Sequence, residues 1–468
     1  MMTVRAAARA LQEEWFGEDV WFSGVSTDSR TVMPGDLFIA LEGEKFDGHN
    51  FVAEVMGKGA VAAIVRREWG VRNPRSGIPL IQVENTRLAL GRLAACWRRR
   101  FGIPLIAVTG SNGKTTVKEM IASILRHITS GSGESRQPGQ IEGSDQVLAT
   151  EGNLNNDIGV PLMLLRLREQ HKYAVIEMGM NHAGEIAYLT SLAKPSVALI
   201  TNAGTAHVEA LGSVEAVARA KGEIFEGLDQ QGIAVINAGD PHAALWRGLA
   251  GDRKVMDFGL QEKASVSARY QPGPFGSRVA LLLPDGAQEV ELQVPGEHNV
   301  ENAAAAAAVA VSIGVGAEAI TLGLNAFTGV KGRMQKKQGL HGSTLIDDTY
   351  NANPDSVRAA LAVLARAAGR KIFVLGDMGE LGAAATDIHG RIGAEARAAG
   401  VDTLVAMGEL SAYSVAAFGA GAHHFAKIEE LVAEVEGLLA PGDTMLIKGS
   451  RFMQMERVVK RVELQPVK

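Results

Sequence analysis

The sequence predicts an α/β protein of three domains, with parallel sheets covered by helices. Three observations lead there. Short apolar, β-rich runs alternate with helical patterns through most of the chain, as in a parallel sheet with crossover helices. Glycine is abundant at 54 residues and aromatics are scarce at 5%, which suits many tight turns between short elements. The 468 residues correspond to about three domains at roughly 150 residues each.

Taken in order, residues 1–100 read as a small N-terminal α/β domain. Strands are expected around Val25, over Leu37 to Ala40 and over Ala62 to Val65, and a helix over Asn85 to Arg100. Phe101-Gly102-Ile103-Pro104 marks the boundary. Residues 101–330 read as a central parallel sheet, with strands at Leu105 to Val108, Tyr173 to Ile176, Val197 to Ile200 and Ile233 to Ile236. From Ser265 to Val294, short alternating runs split by Pro and Gly predict a small antiparallel meander, and Ala303 to Val311 a helix. Residues 331–468 restart the pattern as a Rossmann-like, doubly wound unit. Its strands are expected at Thr344 to Ile346, Ile372 to Leu375, Thr403 to Ala406 and Met445 to Ile447. Thr129 to Gln146, rich in Gly, Ser and polar residues, reads as a mobile surface loop.

Composition excludes several classes. Lys plus Arg is 47 against 52 Asp plus Glu, a net charge of −5, so no basic excess points to nucleic acid. The single cysteine, Cys96, excludes an intrachain disulfide framework and a cysteine-rich metal site. The N-terminus lacks the apolar core of a secretory signal. The alanine-rich run from Ala303 reads as a buried helix, not a membrane span. A cytoplasmic protein is expected.

The strongest chemical signal is Val108-Thr109-Gly110-Ser111-Asn112-Gly113-Lys114-Thr115-Thr116, between an apolar strand and a helical pattern. Backbone amides and the helix N-terminus can cradle phosphates there. Lys114 would meet the β/γ-phosphates and the Thr115 hydroxyl a Mg²⁺ ion. Gly110 stands only three positions before Gly113, so the loop is shorter than the common pattern. Glu177 and His207 follow the next two strands, where ligands of open α/β sheets bind. Together they suit two metal positions; alone, each is an ordinary loop carboxylate or satisfied histidine. Lys221, in Ala218-Arg219-Ala220-Lys221-Gly222-Glu223, reads as a solvated helix lysine. Asn299 opens a helix and suits a cap. Arg333 stands at the last domain junction. Asp347 to Pro354 either caps a helix or binds ribose and base.

Together these motifs resemble the Mur ligase family. The resemblance covers nearly the whole chain: GVSTDSRTVMPGDLFIAL, TGSNGKTT, ATEGNLNNDIGVPL, EMGMNHAGEI, Thr201 to Phe225, PGEHNVENAAAA, KGR, DDTYNANPDS and LGDMGELG. EGNLNN and DDTYNANP point to its D-alanyl-D-alanine-adding branch. The resemblance implies an N-terminal domain for the UDP end of a UDP-N-acetylmuramoyl-tripeptide, a P-loop ATPase-like central domain, and a C-terminal domain that closes over both. Lys114, Thr115 and their loop would hold ATP and Mg²⁺. Glu177, His207 and a carbamylated Lys221 would hold two metal positions, and Asn299, Arg333 and Asp348 would contact ATP. Thr27, Ser29, Lys45 and Phe46 match a uridine-side pocket; Asn153 and Asn156 match substrate contacts. A monomer is expected. Readings that stay open on the residues are a P-loop NTPase without ligase activity, a nucleotide-sensing module, and a family member that adds another amino acid.

Overall fold

In a computed structural model, the protein is described over residues 1–44, 46–73, 77–129, 146–261 and 263–464. Lys45 and residues 130–145 of the expected surface loop lie outside the described residues.

Three sheets carry the architecture. The N-terminal sheet orders its strands Glu14–Phe16, Leu80–Val83, Ala62–Arg66, Asp36–Ile39 and Gly24–Ser26, with only the first pairing antiparallel. The helix Thr86–Arg98 follows, capped by Asn85, whose side chain accepts from the Arg87 and Leu88 amides. Leu90, Leu93 and Trp97 of this helix share an apolar cluster with Val160, Met163 and Leu189 of the central region. The Trp97 indole N–H also donates to the Leu167 carbonyl at 3.1 Å. The N-terminal domain thus docks through this helix onto the helices Gly159–Leu165 and Glu185–Ala193 of the central domain.

The central sheet has nine strands: Val147–Ala149, Tyr173–Glu177, Leu105–Thr109, Val197–Ile200, Ile233–Asn237, Lys254–Gly259, Val266–Pro272, Ser277–Leu283 and Gly286–Leu292. The expected meander is present, but it is no separate unit. Val266–Pro272 pairs parallel with Lys254–Gly259 and antiparallel with the next strand, so one sheet changes sense along its width. The helix Glu297–Ser312 lies buried over this sheet, its run Ala303 to Ala310 almost without solvent contact. Small side chains let it approach the strands closely. No helix among the described residues is long and apolar enough to cross a membrane.

The C-terminal sheet orders Gln335–Gln338, Thr344–Asp348, Thr444–Lys448, Lys371–Gly376, Thr403–Met407 and Ala422–Phe425; all pairings are parallel except the first. Its helix Pro354–Ala365 starts with proline and a capping box in which Asn353 and Ser356 bond reciprocally. A short bridge between Val330 and Arg333 makes the turn into this domain, with Gly332 at φ 72°.

The helix Lys114–Thr129, which follows the loop Gly110 to Gly113, packs closely against one glycine. A Cβ on Gly323 would lie 2.4 Å from Ile124 Cα, and the Ser123 hydroxyl donates to the Gly323 carbonyl at 2.7 Å. Gly323→Ala should therefore destabilise the central domain by about 1–3 kcal/mol through overpacking against backbone. That outweighs the helix-propensity gain of up to about 1 kcal/mol. A thermal unfolding midpoint equal to or above wild type would contradict this packing.

Candidate functional site

The C-terminal ends of the parallel strands of the central and C-terminal sheets face one another across a cleft of about 840 Å³. Strand ends are where parallel sheets leave loops free to bind. The strand Leu105–Thr109 delivers the loop Gly110 to Gly113, and both glycines are required. Gly110 has φ 150°, and a Cβ there would sit 1.8 Å from Thr201 Oγ1. Gly113 has φ 83°, and a Cβ would sit 2.5 Å from Asn302 Oδ1. Neighbouring strands tie the loop down. The Asn112 amide donates to Asn202 Oδ1 at 2.9 Å, the Thr201 hydroxyl to the Asn112 carbonyl at 2.6 Å, and the Thr109 hydroxyl to the Met178 carbonyl at 2.8 Å.

Lys114 folds back over this loop, its Nζ 2.7 Å from the Gly110 carbonyl and 3.3 Å from that of Ser111. Burial pushes its ammonium below the usual lysine range; the Arg333 charge adds to this and Glu177 opposes it. The Thr115 hydroxyl donates to Glu177 Oε2 at 2.8 Å and accepts from Arg333 at 2.9 Å. Thr116, next on the same helix, lines the cleft. Asn155 donates to the other Glu177 oxygen at 2.8 Å. His207 holds a left-handed backbone at φ 65°, with Nδ1 3.2 Å from Glu380 Oε2. That contact, first among several causes, holds the Glu380 carboxyl below its usual range.

Two sequence expectations change. Lys221 is not a solvated lysine: it is 1% exposed at the end of the helix Val214–Gly222. Burial, and then the Lys114 charge, push it well below the usual lysine range. Asn299 is not the helix cap, because Gly296 at φ 96° occupies that position. Asn299 instead donates to the Pro295 carbonyl at 2.7 Å and accepts from Asn302 at 3.0 Å.

The cleft wall includes Ser111 to Lys114, Asn153, Asn156, Glu177, His207, Asn299, Arg333 and Asp348. Asn156 also holds the start of a helix, accepting from the Gly159 amide at 2.8 Å. Asp348 is held by Lys448 at 2.5 Å and by the Met334 amide at 3.1 Å. Thr27, Ser29 and Phe46 are not brought into this cleft; they lie on the N-terminal domain, where Phe46 is 56% exposed. Glu42, Asp47 and His49 lie within metal-ligating distance of one another. Both His49 nitrogens are already used there, by the Arg66 amide at 2.9 Å and by Asp47 at 2.6 Å.

Several wall residues were not singled out by the sequence reading. Asn353 donates to Asn112 Oδ1 at 2.8 Å, and Asp355 accepts from the Thr205 amide and hydroxyl at 3.1 and 2.9 Å. Lys448, Asn302 and Glu380 join them. All but Lys448 fall inside quoted motifs, PGEHNVENAAAA, DDTYNANPDS and LGDMGELG, but none was assigned a role of its own.

Glu301 is another. It lines the cleft, and burial, with the Glu297 and Asp240 charges, pushes its carboxyl up to about 7 from 4.5. The folded state therefore binds this proton more tightly than the unfolded chain, so stability falls as pH rises from about 4.5 to about 7. Glu301→Gln, neutral at every pH, should be more stable than wild type at pH 8 by on the order of 2–3 kcal/mol. The two should converge near pH 4. Denaturation curves with the same difference at both pH values would refute this.

Comparison with known proteins agrees with this arrangement along the whole chain. Residues 22–98 match the model described as "Mur ligase family, catalytic domain", 108–310 the "Mur ligase middle domain" and 332–451 the "Mur ligase, glutamate ligase domain". The UDP-N-acetylmuramoyl-tripeptide--D-alanyl-D-alanine ligase of Escherichia coli K12 is 41% identical, over 99% of this chain and 98% of its own. The Haemophilus influenzae enzyme of the same name is 40% identical over 97% and 96%. A crystal structure of MurF from Acinetobacter baumannii superposes with a TM-score of 0.88 at 38% identity, covering 98% of each chain. MurF ligase from Thermotoga maritima in complex with ADP superposes at 0.81 and 27% identity, covering 94% of this chain and 96% of its own. The chain belongs to the Mur ligase family.

Proposed function

We propose that the chain is an ATP-dependent amide ligase that joins D-alanyl-D-alanine to UDP-N-acetylmuramoyl-tripeptide, releasing ADP and phosphate. Near-full-length identity to enzymes of that name carries the reading. The two-domain cleft supplies its chemistry.

A carboxylate is a poor acyl donor. Phosphoryl transfer from ATP makes it an acyl phosphate, the dipeptide amine attacks through a tetrahedral intermediate, and phosphate leaves. The first step brings two anions together, so positioning and charge stabilisation dominate. In this reading the loop Thr109 to Thr116 cradles the phosphates, with Lys114 and Arg333 turned to the transferred group. Asn299 and Asp348 face the nucleotide. Asn153 and Asn156 face the peptide. Thr27, Ser29 and Phe46 take the uridine end, as would Lys45.

The donor set suits Mg²⁺. A hydroxyl and a carboxylate, Thr115 and Glu177, already meet at 2.8 Å, and such hard oxygens match this ion. His207 and Lys221 would complete a second position. Bound Mg²⁺ would supply charge neutralisation. Lys221 would support this once carbamylated: burial and the Lys114 charge lower its proton affinity, which favours the neutral amine, and addition of CO₂ with loss of a proton would give an anion that no longer repels a cation. The reading also takes the enzyme as a cytoplasmic monomer; light scattering tests the monomer.

The test is ADP release with purified UDP-N-acetylmuramoyl-tripeptide. D-alanyl-D-alanine should drive it, while single amino acids or no acceptor should not. Acceptor-independent turnover would mean an NTPase, and turnover with a single amino acid another ligase. Lys114→Ala should cut turnover at least about 100-fold with the fold retained. Lys221→Ala should lose activity, and ¹³C-bicarbonate NMR of wild type should show a carbamate signal. A fully active Lys221→Ala protein without such a signal in wild type would remove this lysine from the scheme.

A further inference from the structure

The scheme above leaves unassigned what holds the free carboxylate of the acceptor. D-Alanyl-D-alanine is a zwitterion, with its amine and carboxylate about 7 Å apart when extended. The amine must point inward to the acyl phosphate, so the carboxylate points back along the cleft.

Two loops of the C-terminal domain flank that path. They follow the adjacent parallel strands Lys371–Gly376 and Thr444–Lys448. The loops are stitched together: the Gly379 amide donates to Ser450 Oγ at 2.8 Å, and the Ser450 amide to the Asp377 carbonyl at 3.0 Å. The first loop carries Glu380 against His207, at the reacting end. The second carries Arg451 on the same wall.

The lysines and arginines lining the cleft separate by what already holds them. Lys114 bonds its own loop, Arg333 reaches Thr115, and Lys448 is enclosed by Asp348 and the Asn351 carbonyl at 2.9 Å. Among the described residues Arg451 has one ionic partner, the part-buried Glu456 at 3.2 Å, and its own side chain stays 65% exposed. Two guanidiniums approach the Tyr350 ring. Arg333 lies 4.2 Å from its ring centroid, turned to the phosphate loop, and Arg451 lies 5.9 Å away. An exposed ion pair of this kind is weak and readily exchanged. A guanidinium offers a carboxylate two parallel N–H donors.

We propose that Arg451 receives the C-terminal carboxylate of the acceptor dipeptide and so determines acceptor specificity. This rests on the ligase reading above. The test is steady-state kinetics of the full-length enzyme and its Arg451→Ala and Arg451→Lys variants. The acceptors are D-alanyl-D-alanine and its C-terminal carboxamide. Wild type should prefer the carboxylate about tenfold or more, the weight of a hydrogen bond to a charged group. Arg451→Ala should raise the dipeptide KM by a similar factor and use both acceptors alike. Its KM values for ATP and the UDP-linked peptide should stay within about twofold. Arg451→Lys should recover part of the preference. An unchanged dipeptide KM, an equal rise in the ATP KM, or an intact preference in Arg451→Ala would overturn the assignment. Failure of wild type to use D-alanyl-D-alanine at all would instead sink the ligase reading, and this inference with it.

Discussion

The site depends on the docking of one turn onto two neighbouring loops. The turn after the strand Thr344–Asp348 sets Asn353 against Asn112 and Asp355 against Thr205. Arg333, just before that domain's first strand, reaches Thr115. Each contact joins residues 150 or more positions apart in sequence. Neither half is a site alone: the central domain holds the phosphate loop and Glu177, and the C-terminal domain holds Arg333, Lys448 and Glu380. The chemistry explains the division. Transfer between two anions needs converging positive charge and little water, yet substrates must enter. A cleft between two domains satisfies both demands.

Burial is what makes this polar cluster work. Thr115, Glu177 and Lys221 are nearly solvent-free, so their interactions are weakly screened. Thr115 and Glu177 pair directly, whereas Lys221 sits beside the charge of Lys114 with burial against it. A buried lysine in that position is costly as a cation. The low proton affinity that results is a property that a surface lysine lacks.

The strand, loop and helix around Gly110 to Lys114 were legible in the sequence because strand, glycines, Lys-Thr and helix are contiguous, and their geometry is set by neighbours in the chain. The parallel strands were legible for the same reason, as apolar runs. Short or edge strands such as Val147–Ala149, Gln335–Gln338 and Ala422–Phe425 carry too few apolar residues to stand out. The burial of Lys221 was not legible, because Ala-Arg-Ala-Lys-Gly-Glu has the pattern of a solvated helix face. Only packing hides it, with the Trp246 indole N–H bonded to the Ala218 carbonyl at 2.9 Å. Asn299 suited a cap because local preference favours Asn there, but Gly296 starts the helix earlier. The segment Asp347 to Pro354 read as either a helix cap or a ribose and base contact, and Asn353 does cap. That the same turn also reaches the phosphate loop follows from domain docking, which leaves no local trace.

The most direct measurement is a double-mutant cycle on the docking contact itself. Asp355→Ala, Thr205→Val and the pair would be compared by kcat/KM for ATP at saturating peptide and dipeptide. If docking completes the site, each single change lowers kcat/KM and the pair is no worse than the poorer single. The coupling is then at least as large as the smaller single loss and should exceed about 0.5 kcal/mol. Strictly additive losses, or single variants equal to wild type, would contradict a site assembled by this contact.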